Sequence, residues 1–531
     1  MNRLRERIRR QFRSLAFSKQ LHLFCWAGAI LIAVLLRAPT ICSGLPYIDY
    51  IDEGYVLHQS IDLLNYRSLD TRWYGYPSLP AYLTAGALIA YSPVYRLMHG
   101  HGFREDLPHD RDIHTAKGDS YDLISPPALI VAGRFAAIFL SVMTVALAGK
   151  LACTLAGDRI GGLSLILVAT CPALTSRASN VMVDTFATFF ALWSLYFCGG
   201  LVKESALGNA RMNRRAACAG AAAGLAFASK YTVAVVFAAV AFTLFTMPVS
   251  RTRRLRLLGL ASGGFCLTAA LLAPAVVFHS WAVVREVATT AHSYTIMTSA
   301  PGYFGQAVFR NELGWPLVVV GCVGLLLMLR SETDRPVALG WIVFGLVLVG
   351  LFITKPFQPF RNLLPLVPPF CIAAAFAFDQ LLRWAARSGR AALWQPIAAL
   401  VIGAIIVTLA FSSFEPMRKR ISHRDSRVRA VDWLQERVRK GDRVLVIAEL
   451  SLLPSELDRI GASVQVVQWS DALDLLQRKE FDYLISGSFT PRSVTSPFTA
   501  RASFGAVATP LEPYMWRTND ERIHIFSRPP G

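Results

Sequence analysis

"YPSLPAYLTAGALIAYSPVYRLM", Tyr76 to Met98, is long and apolar enough to cross a membrane, and whether it crosses sets the side on which every later loop lies. If it does, the basic clusters "RMNRR" (Arg211 to Arg215) and "RTRRLR" (Arg251 to Arg256) fall outside, against the rule that Lys and Arg crowd cytoplasmic loops. If it lies in or beside the outer leaflet, the basic N-terminus and the clusters at 150–159, 203–215, 251–256, 330–335 and 383–390 all face the cytoplasm. Pro77, Pro80 and Pro93 also suit a broken interfacial helix better than a clean span. We therefore expect this segment at the interface.

The rest of the chain agrees with a membrane setting. Of 531 residues 54% are hydrophobic and only 17% charged, with a mean hydropathy of +0.42, too apolar for a soluble enzyme of this length. The net charge of +19 follows from cytoplasmic basic loops, and no nucleic-acid partner is expected. The cysteines lie mostly inside apolar runs without CxxC pairs, so they read as small core residues. The first apolar run, 21–36, follows "MNRLRERIRRQFR" and lacks a small-residue cleavage site, so it is expected to be retained as a span.

Further apolar runs lie at 127–153, 161–176, 184–202, 216–229, 231–247, 257–278, 315–329, 337–353, 360–378 and 391–411. The expectation is an α-helical polytopic membrane protein of about 11 spans. Residues 1–20 form a cytoplasmic N-terminus and 21–411 the membrane domain, whose first outer loop, 39–126, carries interfacial helices. From 412 to 531 the chain turns polar and alternates helix-like with strand-like pieces ("SRVRAVDWLQERVRKG", "DRVLVIAE", "LPSELDRIGA", "SVQVVQ", "DALDLLQRKE", "FDYLISG"), which predicts a small α/β domain outside the cytoplasm. That domain has no glycine-rich phosphate loop after a strand.

The outer face collects the polar residues where chemistry can occur. "YIDYIDEGY", Tyr47 to Tyr55, places Asp49, Asp52 and Glu53 directly after the first span and ahead of "EGYVLHQSIDLLNY", read as an amphipathic helix resting on the membrane surface. Acids at a helix start are also favoured by the helix dipole alone, so both readings stand. Asp184 heads an apolar run, where an isolated charge is expensive and often functional. Lys230, Lys355 and Arg361 break the positive-inside pattern as lone outward cations; they suit an anionic headgroup, although snorkelling to the interface would place them equally well. His292, Tyr294 and Tyr303 add polar aromatic groups in an outer loop. His109, Asp110, Asp112 and His114 read as a solvated loop rather than metal ligands, because adjacent residues cannot easily face one ion. Carboxylates to activate an acceptor, with cations to hold a phosphate, fit transfer of a group from a phospholipid-like carrier.

The order of these features resembles the GT-C glycosyltransferases: one span after a basic N-terminus, the Asp52-Glu53 pair, a "YP.LP" segment (Tyr76, Pro77, Leu79, Pro80), Asp184 at the outer head of a span, the Lys230-Tyr231 turn, and Arg361 before "LLPLVP". Within that group the chain is most similar to the branch of protein O-mannosyltransferases and lipid A aminoarabinose transferases, over about residues 21–378. The resemblance implies a GT-C fold and a polyprenyl-phosphate sugar as donor, with transfer, inverting by expectation, to a lipid, glycan or protein on the outer face of the cytoplasmic membrane. It implies Asp52 as general base, Glu53 as a catalytic neighbour that helps to orient the acceptor, and Asp184 as the second acidic position. A divalent metal (Mg, Mn or Zn) shared by Asp52 and Asp184 is an arrangement found in some relatives and not in others. By the resemblance Lys230 falls near the donor phosphate and Arg361 next to the lipid-phosphate site; from the residues alone Lys355 joins them as a phosphate-binding candidate, and Tyr55, Tyr231, His292 and Tyr294 are candidate donor or acceptor contacts. No WWDYG-like motif is present, against asparagine glycosylation. Two other classes compete: a transporter or flippase of a polyprenyl lipid, which predicts inverted repeats and mid-span charges, and a non-catalytic lipid-binding relative.

Overall fold

The computed structural model describes residues 24–48, 51–105, 126–203, 209–296, 305, 307–356, 359–422, 424–447, 458–467, 481–486, 499–504 and 523–527. Among them seven helices are long and apolar enough to cross a membrane: Phe24–Cys42, Pro127–Ala156, Val183–Lys203, Arg251–Leu272, Arg335–Ile353, Phe360–Arg387 and the helix beginning at Ala391. The shorter apolar helices Tyr231–Thr246 and Trp315–Arg330 join them, as do Asp158–Thr170 and Asn209–Ser229 on two further predicted runs. The chain is a multi-pass membrane protein.

The chain divides into two compact units. One takes in Met1–Pro39, Asp70–Leu83 and Phe135–Met417; the other Thr40–Leu69, Thr84–Arg134 and Arg418–Gly531.

In the first unit, helix packing rests on small residues, as expected where lipid removes the hydrophobic drive between helices. "GAAAG" puts Gly220 and Gly224 on one face of Asn209–Ser229, against Arg251–Leu272; a Cβ at Gly220 would stand 1.8 Å from the Ala261 carbonyl oxygen, and one at Gly224 2.7 Å from that of Phe265. Gly324 has the same role between Trp315–Arg330 and Val367–Arg387, where a Cβ would meet the Ala373 carbonyl at 1.8 Å. Arg37 is fully buried in the first span. Its guanidinium donates to Ser141 Oγ (2.9 Å), Ala33 O (3.1 Å), Ala169 O (2.9 Å) and Val168 O (3.2 Å), closing the carbonyl end of Asp158–Thr170. On the predicted cytoplasmic side Asp379 is fully buried and takes Arg383 Nε at 2.5 Å and Arg159 Nη1 at 3.4 Å.

In the second unit the polar tail is the expected α/β domain. Its sheet has β1 (Arg443–Ile447), β2 (Ser463–Val467), β3 (Tyr483–Ser486), β4 (Thr499–Phe504) and β5 (Ile523–Ser527) in the order β2-β1-β3-β5-β4. The first three strands are parallel, as the alternation of helix and strand predicts, whereas β5 and β4 close the edge antiparallel. The helix Ser426–Arg437, capped by Asp425, lays Val428, Val431 and Leu434 into the same core as Val444, Val446 and Ile525. The helices expected at "LPSELDRIGA" and "DALDLLQRKE" lie largely outside the described residues.

Three expectations change. From Leu79 onward the segment is one continuous helix, Leu79–His99, not a broken one: Pro80 falls in the first turn, where no helical N–H is needed, and Pro93 is carried inside. The helix Ile51–Tyr66 forms where expected but is buried along most of its length, His58 and Gln59 included, so it has no broad solvated face. The last span continues past Phe411 as Ala391–Ser422, so the expected boundary at 411/412 falls within a helix.

Candidate active site

Asp184 stands in the first turn of Val183–Lys203, only 1% exposed, where the helix N-terminus favours a carboxylate. Lys230 follows Asn209–Ser229 and opens the tight turn Tyr231–Val235. Its ammonium donates to Asp184 Oδ1 at 2.5 Å and to Asn362 Oδ1 at 2.6 Å. Asn362, itself buried, comes from the Phe360–Leu366 turn that also carries Arg361. Three helix ends far apart in sequence thus meet at one nitrogen. Lys230 is not the lone cation the sequence suggested, because apolar surroundings that make a single charge costly also draw in its counter-charge. An ammonium has three donors, so two are committed here and one is left. Asp184 Oδ2 is buried without a hydrogen-bond partner among the described residues.

Asp52 and Glu53 lie in the first turn of Ile51–Tyr66, both buried. Arg134, near the start of Pro127–Ala156, donates Nε to Glu53 Oε1 and Nη2 to Oε2, each at 2.8 Å, and both side chains are wholly shielded from solvent. Nη1 of the same guanidinium donates to the carbonyls of Ile41 (3.1 Å) and Ser43. The forked geometry is that of Arg with carboxylate at its strongest. Both Glu53 oxygens are therefore committed to holding this segment. Sequence reasoning missed Arg134 because it sits inside an apolar run with no charged neighbour; a lone arginine in such a run, as at Arg37, was the available signal.

Two further pairs frame the Asp184 side. Arg177, ahead of Asp184, donates Nη1 and Nη2 to the two carboxylate oxygens of Glu312, both at 2.6 Å, which joins the loop before Val183 to the π-helical turn Ala307–Glu312. The irregular "WYGYP" segment, 73–77, is strapped down at Tyr74. Its backbone N–H donates to Glu286 Oε2 (2.5 Å), its ring stacks on His279 at 5.3 Å, and its carbonyl accepts from the Tyr231 hydroxyl at 3.2 Å. Burial, and after it the bond to Asp70, pushes the Tyr74 phenol up to about 12, so it remains a donor. Through Tyr231 the Lys230 turn is tied to this segment.

The remaining predicted residues are spread more widely. Arg361 is buried beside Asn362, and Lys355 is half-buried after Arg335–Ile353. Tyr55 is half-buried on Ile51–Tyr66. His292 is exposed on the helix Ser280–Ile296, where a loop was expected; the Tyr294 side chain, Tyr303 and the 109–114 group lie outside the described residues. A cavity of about 230 Å³ opens among Leu313, Trp315, Leu317, Ile405 and Leu409, with Arg310 in its wall. Among the described residues no group of three or more His, Cys, Asp or Glu gathers to hold a metal ion. Asp184 is also a poor metal ligand on its own side, with Lys230 on Oδ1.

Residues 128–278 match the model of the dolichyl-phosphate-mannose-protein mannosyltransferase family. Among solved structures, ArnT from Cupriavidus metallidurans in the apo state superposes with a TM-score of 0.55 at 12% identity, covering 96% of this chain and 98% of that one. The fold is that of the GT-C glycosyltransferases. The undecaprenyl phosphate complex of the same ArnT gives a TM-score of 0.53 at 12% identity over 95% and 97% of the two chains. The apo oligosaccharyltransferase of Archaeoglobus fulgidus shares the GT-C fold at a TM-score of 0.52 and 12% identity, over 89% of this chain and 70% of that one. Comparison with curated protein sequences finds no match.

Proposed function

We propose that the chain is a glycosyltransferase that moves a sugar from a polyprenyl-phosphate donor to a lipid, glycan or protein acceptor on the outer face of the cytoplasmic membrane. The observation that carries this reading is the buried Asp184–Lys230–Asn362 cluster beside Arg361, at helix ends in a GT-C fold. An ammonium held by a carboxylate and an amide, with one N–H left over, is prepared to receive a phosphate oxygen without reorganising.

In the reaction, Asp52 accepts the acceptor's hydroxyl proton as that oxygen bonds to the sugar's anomeric carbon and the bond from that carbon to the phosphate oxygen breaks. The leaving polyprenyl phosphate keeps the electron pair, and Lys230, Lys355 and Arg361 stabilise its charge. Attack opposite the leaving group inverts the anomeric centre. Glu53, committed to Arg134, holds Asp52's helix rather than touching the acceptor. The apolar cavity near Trp315 suits a hydrocarbon chain entering from the membrane.

The test is purified protein supplied with radiolabelled polyprenyl-phosphate sugars, wild type against Asp52→Asn. Wild-type transfer or hydrolysis that drops by about 10²- to 10⁴-fold in Asp52→Asn is the expected result. Turnover that survives unchanged in the variant removes Asp52 as the base, and no turnover from any donor returns the chain to a lipid-binding role.

A further inference from the structure

The Asp52 segment begins in the core of the C-terminal domain. Tyr47 is fully buried and belongs to one apolar cluster with Val428, Val431, Leu434, Val444, Ile485 and Ile525, side chains of the tail's helix and sheet. The Arg427 guanidinium lies over the Tyr47 ring, 3.6 Å from its centroid, a cation–π contact shielded from most solvent. Asp425, a buried cap of the same helix, fixes that guanidinium through Nε–Oδ1 at 3.0 Å and Nη2–Oδ2 at 2.9 Å, and accepts from the Arg427 backbone N–H at 2.8 Å. A residue of the first outer loop has thus become part of another domain's core. On the far side of Asp52, Glu53 is held by Arg134, which also binds the Ile41 and Ser43 carbonyls upstream of Tyr47.

Asp52 is therefore bracketed. We infer that the C-terminal α/β domain is a positioning element of the catalytic segment: Tyr47, clamped by Arg427, fixes where the helix carrying Asp52 starts. This rests on the reading of Asp52 as the base. A carboxylate that must meet a reacting hydroxyl at hydrogen-bond distance loses rate steeply when displaced by an ångström. A buried aromatic anchor and a forked guanidinium pair supply that precision, which a free surface loop lacks.

The experiment uses the full chain with Tyr47→Ala, Arg427→Met and the conservative Tyr47→Phe. Sugar transfer and hydrogen exchange are read together for the wild type and each variant. Tyr47→Ala and Arg427→Met are expected to lower kcat by about 10²-fold with donor KM within about twofold. Amides of residues 51–58 should lose protection while those of β1 keep theirs; Tyr47→Phe, which retains the ring, restores both readings. Unchanged kcat in Tyr47→Ala and Arg427→Met, or unchanged protection at 51–58, overturns the inference, as does loss of β1 protection in step with kcat. If the wild type turns over no donor, the glycosyltransferase reading fails by itself, and the exchange arm still decides whether Tyr47 anchors the helix.

Discussion

Lys230 Nζ and Asp184 Oδ1 stand 2.5 Å apart, in a pair whose side chains are 11% and 1% exposed. Removing one partner leaves a buried, uncompensated charge. Lys230→Met should therefore cost about 3–5 kcal/mol, and the double change Asp184→Asn with Lys230→Met less than Lys230→Met alone. Thermal unfolding in detergent checks this. A double variant less stable than both singles would show that the pair is not the unit that matters.

Glu53 makes a contrasting prediction to Asp52. Glu53→Gln leaves the Arg134 guanidinium facing an amide in a fully buried site, so the folded state loses about 3–5 kcal/mol. Arg134→Lys fares little better, because an ammonium cannot reproduce the fork. Asp52→Asn, by comparison, should lower turnover with little change in unfolding temperature. If Glu53→Gln instead unfolds like the wild type and changes only the acceptor KM, Glu53 touches the acceptor after all.

Arg177 and Glu312 lock the loop before Asp184 through two bonds of 2.6 Å. A double-mutant cycle of Arg177→Gln and Glu312→Gln should return a coupling of about 1–3 kcal/mol. Independent, additive effects would mean that the fork contributes nothing to that loop.

Gly220→Leu tests the helix contact in the membrane. With a Cβ alone the Ala261 carbonyl oxygen would be 1.8 Å away, so Asn209–Ser229 and Arg251–Leu272 must separate. Gly220→Leu is expected to reduce the yield of monodisperse protein on size-exclusion chromatography, whereas Gly263→Leu, with nothing within 4 Å of its Cβ position, should not.

The polar tail's strands and the positions of the apolar helices were legible because they are local: an apolar run or a two-residue alternation reports its own burial. Asp184 and Lys230 were legible as candidates for the same reason, since an isolated charge in an apolar run announces a cost. What that cost was answered by could not be read. The partners of Lys230 are Asp184, 46 positions before it, and Asn362, 132 positions after it, and nothing in either stretch encodes the other.

"YIDYIDEGY" divides along the same line. The sequence by itself determined that a membrane protein carries acids there, at the start of a helix, because composition and periodicity act on neighbouring residues. Only the tertiary structure decided that Glu53 belongs to Arg134 and Tyr47 to the core of a domain that begins more than 370 residues later. Those choices depend on which distant surfaces the folded chain brings within a few ångströms, where burial turns an ordinary tyrosine or glutamate into an anchor.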